Sequence, residues 1–281
     1  MTKAGLGRMV LGGAVSASAP ATLAVLGGEL ALNADVHGAG PEEPPVVTVS
    51  VSGVGATATF NASQHLAGLE LSAQGRAVVA PGANKVLVTH GLSIDPAAAQ
   101  LDLTDNSMIV RYTGGTPHMP SAELENIKAW IAAGYNWMSW AGNGIVSSAA
   151  ALDPITYGLG YAQNDMLFLP YDVFSGEPVD SSTILVKFTY NGDLNLDGCV
   201  DDNDVTFFNL FYDGGITTSH YWNEGDIFGY DGRVDDNDVT ILGLTYGRGV
   251  GDPLSGAVPE PATLGLIALG AVAIAGRRRA R

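Results

Sequence analysis

The sequence predicts a mainly β protein with a parallel β-solenoid-like N-terminal part, a small α-helical domain near the C-terminus and a short hydrophobic helix at the end. Three observations predict this fold class. Short apolar clusters recur at roughly 20-residue intervals over residues 1–112, a loop-and-helix sequence is repeated within 191–248, and an apolar stretch follows residue 261. Residues 113–190 form a mixed region between the first two parts, and 249–257 form a linker.

Composition favours strands and turns and argues against a nucleic-acid partner. Glycine is frequent, with 37 of 281 residues, whereas only 15% of the residues are charged. Asp and Glu outnumber Lys and Arg by 29 to 13, and the net charge of −16 is opposite to what phosphate binding requires. Such acidity suits divalent cations, although it also serves solubility alone. The single cysteine, Cys199, provides no disulfide framework.

The solenoid prediction rests on apolar clusters that Gly, Asn, Asp or Pro separate. The clusters lie at 47–51, 66–71, 86–94 and 101–110. No helical periodicity separates them, and the apolar faces of such rungs can stack into one continuous core. A β-sandwich would give similar strand spacing and stays open as the alternative.

The N-terminal residues allow two interpretations. Lys3 and Arg8 precede a short apolar run at 9–15, which would be a weak signal peptide because two glycines interrupt it. The interpretation we favour is folded β structure, because the glycine turn and strand "GGELAL" at 27–32 resemble the autotransporter-associated β-strand repeat. On that interpretation Met1 lies inside a longer product or is a misassigned start.

One helix is predicted in the mixed region. Ser121 is its cap and Gly134 stands where its C-terminal cap is expected. Its apolar face is formed by Leu124, Ile127, Trp130 and Ile131. Trp137 and Trp140 follow, beside two glycines. Such tryptophans either seal a core beneath a loop, which we favour, or stack on sugar rings, so polysaccharide is a candidate partner.

The strongest chemical motif is an EF-type loop at 193–204. Gly198 occupies the position at which such a loop turns sharply, and Val200 is expected to be the apolar anchor between paired loops. These loops bind Ca²⁺ with side-chain oxygens, one backbone carbonyl and one residue that acts through water. The ligands predicted here are Asp193, Asn195, Asp197, the carbonyl of Cys199, Asp201 through water, and Asp204.

The same loop-and-helix series returns 34 residues later. A helix is expected after each loop, with one apolar side on each. Those sides consist of Val205, Phe208 and Tyr212 in the first helix, and of Val239, Leu242 and Tyr246 in the second. The duplication resembles a type I dockerin, a family that binds two calcium ions and docks on partners, usually cohesins, through its loop–helix units.

The second loop contains one residue more than the first. In strict register Ile227 takes the first ligand position and Gly229 the third, and neither has a side-chain oxygen. Alternatively, a bulge restores Asp226 as the first ligand, and calcium binding is then expected to be weaker than in the first loop. The ligands on that alternative are Asp226, Asp231, the carbonyl of Arg233, Asp235 and Asp238.

The resemblance leaves the docking partner open. Dockerins that bind cohesins often carry a hydroxyl pair where this chain has Asp202-Asn203 and Asp236-Asn237. A cohesin-like domain or another surface protein is therefore the candidate partner. The stretch from "LDLTDNSMIVRY" to "KFTYNGDLNLDG" resembles a region that precedes dockerin-like pairs in large planctomycete surface proteins, and it adds no chemistry.

The C-terminal residues 258–281 resemble the PEP-CTERM sorting signal. The motif at 258–261 precedes an apolar stretch at 262–276 and an arginine cluster. This stretch has 15 residues and would span roughly 22 Å as a helix, less than the ~30 Å hydrocarbon core, so we expect transient membrane contact. The resemblance implies export, processing by an exosortase, and a location at the cell surface, outer membrane or extracellular matrix.

These features together predict an exported structural or adhesive surface protein with a calcium-stabilised interaction module. The alternative is a component of a polysaccharide-degrading system that docks through the dockerin-like domain. The sequence offers no pair of carboxylates for glycoside hydrolysis, and its five histidines lack zinc-type spacing, so we do not predict an enzyme.

Overall fold

The computed structural model describes residues 1–13, 15, 17–36 and 44–250. In this part, three sheets form a parallel β-solenoid that an antiparallel strand pair closes at one end. The α-helices are α1 (Ala122–Tyr135), α2 (Asp202–Phe211) and α3 (Asp236–Thr245).

Two of the sheets consist entirely of parallel neighbours. The first contains, in spatial order, β1 (Thr2–Lys3), β3 (Ala21–Val25), β5 (Val47–Ser52), β8 (Gly68–Ser72) and β11 (Leu92–Ile94). The second contains β2 (Arg8–Leu11), β4 (Gly28–Leu32), β6 (Ala56–Phe60), β9 (Arg76–Val79), β12 (Gln100–Asp102) and β14 (Gly144–Val146).

The third sheet changes from parallel to antiparallel pairing where the solenoid ends. Its parallel strands are β7 (Gln64–Leu66), β10 (Val86–Thr89) and β13 (Ser107–Arg111). Its antiparallel strands are β18 (Thr183–Tyr190) and β15 (Tyr157–Gln163), and a separate hairpin is formed by β16 (Val173–Phe174) and β17 (Glu177–Pro178).

The core of the solenoid is a set of side-chain ladders that run from rung to rung. In the second sheet, Leu30, Ala58, Ala77, Leu101 and Ile145 lie in register and are fully buried. Each rung removes its apolar side chains from water by stacking on the next, which stabilises the solenoid without disulfides. The solenoid prediction is confirmed. The sandwich alternative is wrong, because strands of successive rungs pair in parallel.

Strands β1 to β4, between residues 2 and 32, belong to these rungs, as the folded-β interpretation of the N-terminal sequence expects. Gly28 shows why glycine is required at that turn. Its φ is +67°, and a Cβ atom there would lie 2.4 Å from the Gly7 carbonyl oxygen. Successive rungs therefore approach so closely that no side chain fits between them.

Helix α1 packs against β14. Because β14 is the last strand of the second sheet, that sheet extends beyond residue 112. The predicted N-cap is confirmed, since the Ser121 hydroxyl accepts a hydrogen bond of 3.1 Å from the Leu124 amide. The predicted C-cap at Gly134 is wrong, because the helix continues to Tyr135 and Asn136 adopts the left-handed conformation. Gly134 instead permits close packing, since its Cβ would lie 2.0 Å from the Ile145 carbonyl oxygen.

Helices α2 and α3 follow the two acidic loops as predicted. Their expected apolar sides are only partly buried. Phe208 and Leu242 enter the core, whereas Tyr212, Val239 and Tyr246 remain between 43% and 53% exposed. These exposed side chains line a groove between the two helices.

An ion-pair cluster joins the solenoid to the β16–β17 hairpin. His65 Nδ1 lies 2.6 Å from Asp35 Oδ2, and its Nε2 lies 3.1 Å from Glu177 Oε2. The hydrogen bond to Asp35 outweighs the effect of burial and, with Glu177, raises the pKa of His65 to about 9. The imidazole is therefore positively charged at neutral pH.

No helix within residues 1–36 and 44–250 is long and apolar enough to cross a membrane. The hydrophobic helix predicted at the C-terminus, its membrane contact at 262–276 and most of the predicted linker lie outside the described residues.

Candidate metal centres

The first acidic loop folds around the fully buried carboxylate of Asp193. Its Oδ1 accepts a hydrogen bond of 3.0 Å from the Asp197 amide, and its Oδ2 accepts one of 2.9 Å from the Gly198 amide. The Thr189 hydroxyl also donates to Oδ2. Gly198 has a φ of +95°, which is accessible to glycine, so the chain can turn sharply around this carboxylate.

The next polar side chains of the loop hold its backbone. Asn195 Oδ1 accepts a hydrogen bond of 2.9 Å from the Asp197 amide, and Asp197 Oδ1 accepts one of 2.8 Å from the Cys199 amide. The Cys199 thiol donates to the Gly249 carbonyl oxygen at 3.3 Å. The sulfur is therefore engaged with the chain that follows α3.

Asp204 closes the first loop and begins α2. Its Oδ1 accepts a hydrogen bond of 2.8 Å from the Leu194 amide, and its Oδ2 accepts one of 2.9 Å from the Asp201 amide. Asp201 in turn caps the helix by accepting from the Asn203 amide at 2.8 Å. Burial raises the pKa of Asp193 to about 6 and that of Asp204 to about 7, because water solvates neither anion.

The second loop repeats these contacts with one residue more. Asp226 Oδ2 accepts a hydrogen bond of 2.9 Å from the Gly232 amide. Asp238 Oδ1 accepts bonds of 3.0 and 2.8 Å from the amides of Ile227 and Phe228. Asp226 therefore stands where the first loop has its buried aspartate, and the loop follows the bulged alternative rather than the strict register.

Asp226 has one carboxylate oxygen with no donor. Its side chain is fully buried, and Oδ1 accepts no hydrogen bond from the part of the chain that the structure describes. Lys128 Nζ lies 3.9 Å from the other oxygen, Oδ2. Burial raises the pKa of Asp226, and Lys128 offsets part of this effect. A buried anionic oxygen without a donor is costly, and a bound cation would remove that cost.

The loops differ most where the first loop has Asn195. The second loop has Phe228 and Gly229 at this place, and neither has a side-chain oxygen. Asp231 still repeats the next contact, since its Oδ1 accepts a hydrogen bond of 3.0 Å from the Arg233 amide. The second loop thus presents fewer side-chain oxygens than the first.

The last two acidic positions of the second loop cap α3. Asp235 and Asp238 form a capping box, as Asp201 and Asp204 do at the start of α2.

Throughout the described residues, no group of three or more His, Cys, Asp or Glu side chains is arranged as a ready metal centre. Most loop carboxylate oxygens accept backbone N–H groups instead, and those that accept a single hydrogen bond retain a second lone pair that a cation could use.

Residues distant in sequence hold both loops against the β part. Trp222 Nε1 donates a hydrogen bond of 2.7 Å to the Asp193 carbonyl, and Tyr171 Oη donates one of 3.0 Å to the Asn195 carbonyl. Tyr230 Oη accepts one of 3.1 Å from a β15 amide. The sequence gives no signal for these contacts, because each depends on how separate elements pack.

Helices α2 and α3 are joined by reciprocal hydrogen bonds. Tyr212 Oη donates to Asp236 Oδ1 at 2.6 Å, and Tyr246 Oη donates to Asp202 Oδ1 at 2.5 Å. The end of each helix therefore lies beside the start of the other. Asp202 and Asp236 are thus bonded within the chain.

Val200, the expected apolar anchor, is fully buried, and its backbone bonds to the chain that follows α3. Its amide and carbonyl bond at 2.9 Å to the carbonyl of Arg248 and the amide of Gly247, after α3. In the second loop, the Val234 carbonyl accepts from the Gly215 amide, after α2, at 3.2 Å. Each loop is thus braced by the chain that follows the other loop's helix, because the helices lie end to start.

The two tryptophans after α1 have different surroundings. Trp140 is only 3% exposed and packs edge-on against Tyr135 and Tyr230, with ring centroids 5.3 and 5.8 Å apart. Trp137 is 85% exposed. The core-sealing interpretation therefore holds for Trp140 but not for Trp137.

Comparison with known proteins concerns the C-terminal end. Residues 257–279 match the PEP-CTERM protein-sorting motif. The resemblance seen in the sequence is thereby confirmed, and the motif marks an exported protein that is sorted to the cell envelope and processed by an exosortase. Neither the curated proteins nor the solved structures contain a match.

Proposed function

We propose that the chain is a structural or adhesive protein of the cell surface, in which a dockerin-like loop–helix pair binds two Ca²⁺ ions. The sorting motif supports the location, and the solenoid supports a structural role. The loop geometry supports the calcium sites. Asp193 and Asp226 occupy equivalent places, bond to the equivalent glycine amides and are fully buried.

The observation that carries the calcium proposal is the unpartnered Oδ1 of Asp226. Its carboxylate has one oxygen bonded to the turn glycine, and its other oxygen remains available to a cation. Calcium is a hard cation that prefers oxygen ligands, and both loops are rich in carboxylates. The donor chemistry therefore fits Ca²⁺.

The proposed ligand sets follow the hydrogen-bond equivalences. The first consists of Asp193, Asn195, Asp197, the Cys199 carbonyl, Asp201 through water, and Asp204. The second consists of Asp226, Asp231, the Arg233 carbonyl, Asp235 through water, and Asp238. A bound cation would supply positive charge to the buried carboxylates, and the same aspartates would continue to hold the loop backbone and cap α2 and α3.

The proposed docking role requires a partner that does not depend on hydroxyl groups at the starts of α2 and α3. Asp202 and Asp236 are bonded to Tyr246 and Tyr212 within the chain. We therefore place the interaction with another surface protein on the exposed sides of α2 and α3, where Val239 remains accessible.

Isothermal titration calorimetry of the chelator-treated full chain tests the proposal. We expect two calcium-binding events, of which the tighter belongs to the loop with more oxygen ligands. The variant Asp193→Ala/Asp204→Ala should lose the tighter event. The calcium affinity of that loop should fall by more than the roughly 10- to 100-fold that the loss of a supporting contact causes. The variant Asp226→Ala/Asp238→Ala should lose only the weaker event.

Asp172→Ala is the matched control, because Asp172 is an exposed acid outside both loops. It should leave both events unchanged. Absence of any calcium-dependent heat in the unmodified chain would refute the calcium sites. Loss of the weaker event in Asp193→Ala/Asp204→Ala would reverse the order of the two loops.

A further inference from the structure

A pocket opens between the C-terminal end of α1 and the second acidic loop. Its volume is about 420 Å³, within the range of small-ligand sites. Aromatic and acidic side chains meet in its wall. The lining includes Tyr135, Trp137, Phe228, Gly229, Asp231 and Asp238.

The pocket lies on the side where the second loop lacks a ligand. Phe228 and Gly229, which stand where the first loop has Asn195, both line it. Calcium takes roughly six to eight oxygen ligands, so an ion in this loop would retain open coordination positions. Because Phe228 and Gly229 form this part of the pocket wall, those coordination positions would be open to the pocket.

Trp137 is presented to the same pocket on a constrained turn. Asn136, Trp137 and Met138 have φ angles of 40°, 54° and 69°, in the left-handed region that side chains with a Cβ rarely adopt. The Ser139 hydroxyl donates a hydrogen bond of 2.8 Å to the Asn136 carbonyl. The next residue, Trp140, is buried and anchors the end of the turn. The turn therefore constrains the backbone that carries the exposed indole of Trp137.

Charge restricts the class of ligand. Asp231, Asp235 and Asp238 line the pocket, and Asp226 lies buried in the same loop. These four carboxylates outnumber by one the combined positive charges of a calcium ion and of Lys128, which lies beside Asp226, so the loaded site stays acidic. An anionic sugar would be repelled, whereas neutral hydroxyl groups would not.

We propose that this pocket binds a neutral polysaccharide, with one sugar ring stacked on Trp137 and two neighbouring hydroxyl groups completing the coordination of calcium in the second loop. This inference rests on the proposed function, because it requires calcium in that loop. It goes beyond it by assigning a ligand class and a stacking residue.

A printed array of neutral and acidic glycans, probed with the full chain in millimolar calcium, tests the proposal. We expect binding to neutral glycans that chelator abolishes. Trp137→Ala should weaken it by at least about tenfold, and Trp137→Tyr should restore part of it, because tyrosine keeps a stacking face. Phe168→Ala is the control, since Phe168 is 75% exposed, aromatic and outside the pocket.

Calorimetry on the same samples separates the two proposals. Two calcium events without glycan binding would overturn the glycan site and leave the calcium sites standing. Absence of calcium from the second loop would overturn both that loop's assignment and the glycan site. Binding that survives chelator, is limited to acidic glycans, or is unchanged in Trp137→Ala would also contradict the pocket as proposed.

Discussion

The solenoid and the paired loops bury opposite kinds of side chain. The ladder from Leu30 to Ile145 is aliphatic throughout, whereas the loops bury carboxylates. Asp193, Asp204, Asp226 and Asp238 are each at most 2% exposed. Aliphatic burial stabilises a fold without any ligand, but buried carboxylates oppose folding unless a cation or hydrogen bonds compensate. The two regions should therefore respond to different conditions.

The largest loss of stability is expected from a substitution at Gly232 in the second loop. The φ of Gly232 is +83°. A Cβ there would lie 2.5 Å from the Thr218 carbonyl oxygen. We expect Gly232→Ala to lower the free energy of unfolding by about 3 kcal/mol, from backbone strain and this clash together. Chemical denaturation with and without calcium measures the loss.

Gly214→Ala is the matched control for that substitution. Gly214 has a φ of +71°, but its Cβ would meet no atom within 4 Å. The expected loss is about 1 kcal/mol, from strain alone. Equal losses for the two variants would show that the second loop yields to an added side chain.

The solenoid should show its own dependence on pH, through His65. Its pKa is raised to about 9 in the folded chain, chiefly by the hydrogen bond to Asp35, against an ordinary value of 6.5. Its contribution is complete below pH 6.5 and is lost as the pH rises through 9. Allowing for solvent screening of a partly exposed ring, we expect a loss of about 1–2 kcal/mol.

Unfolding of the calcium-loaded chain at several pH values checks this expectation. His65→Asn removes the titrating ring and should flatten the profile between pH 6.5 and 9. A profile of the same shape in that variant would assign the transition to another group.

The smallest expected effect is a change in the calcium affinity of the second loop alone. Lys128 Nζ lies 3.9 Å from Asp226 Oδ2, so its charge opposes a cation in the second loop. Lys128→Met keeps much of the side-chain length and removes the charge. We expect calcium to bind the second loop roughly threefold more tightly, with the first loop unchanged.

Calorimetry measures that change, with Lys85→Met as the control because the Lys85 ammonium bonds to Pro81 and Asn84 in the solenoid. Weaker binding in Lys128→Met would mean that Lys128 positions the loop rather than competing with the ion.

Local patterns were sufficient to predict the repeated elements of this protein. The spacing of apolar clusters predicted the solenoid, because side chains that leave water must recur once per rung. Ser121 predicted the start of α1, and the repeated acidic loops predicted α2 and α3. In each case the information lies within one turn, one strand or one cap, where neighbouring residues determine the backbone.

Contacts between distant elements depended on the tertiary structure alone. Gly134 resembles a helix cap in sequence, but the helix continues to Tyr135, and Gly134 instead lets β14 approach closely. Trp137 and Trp140 are three residues apart, yet only Trp140 reaches Tyr230 and the core. Even within the second loop, only the folded backbone decided between the two registers, because the Gly232 amide bonds to Asp226. A sequence pattern identifies which side chains leave water, but the stacking of separate layers decides what they contact.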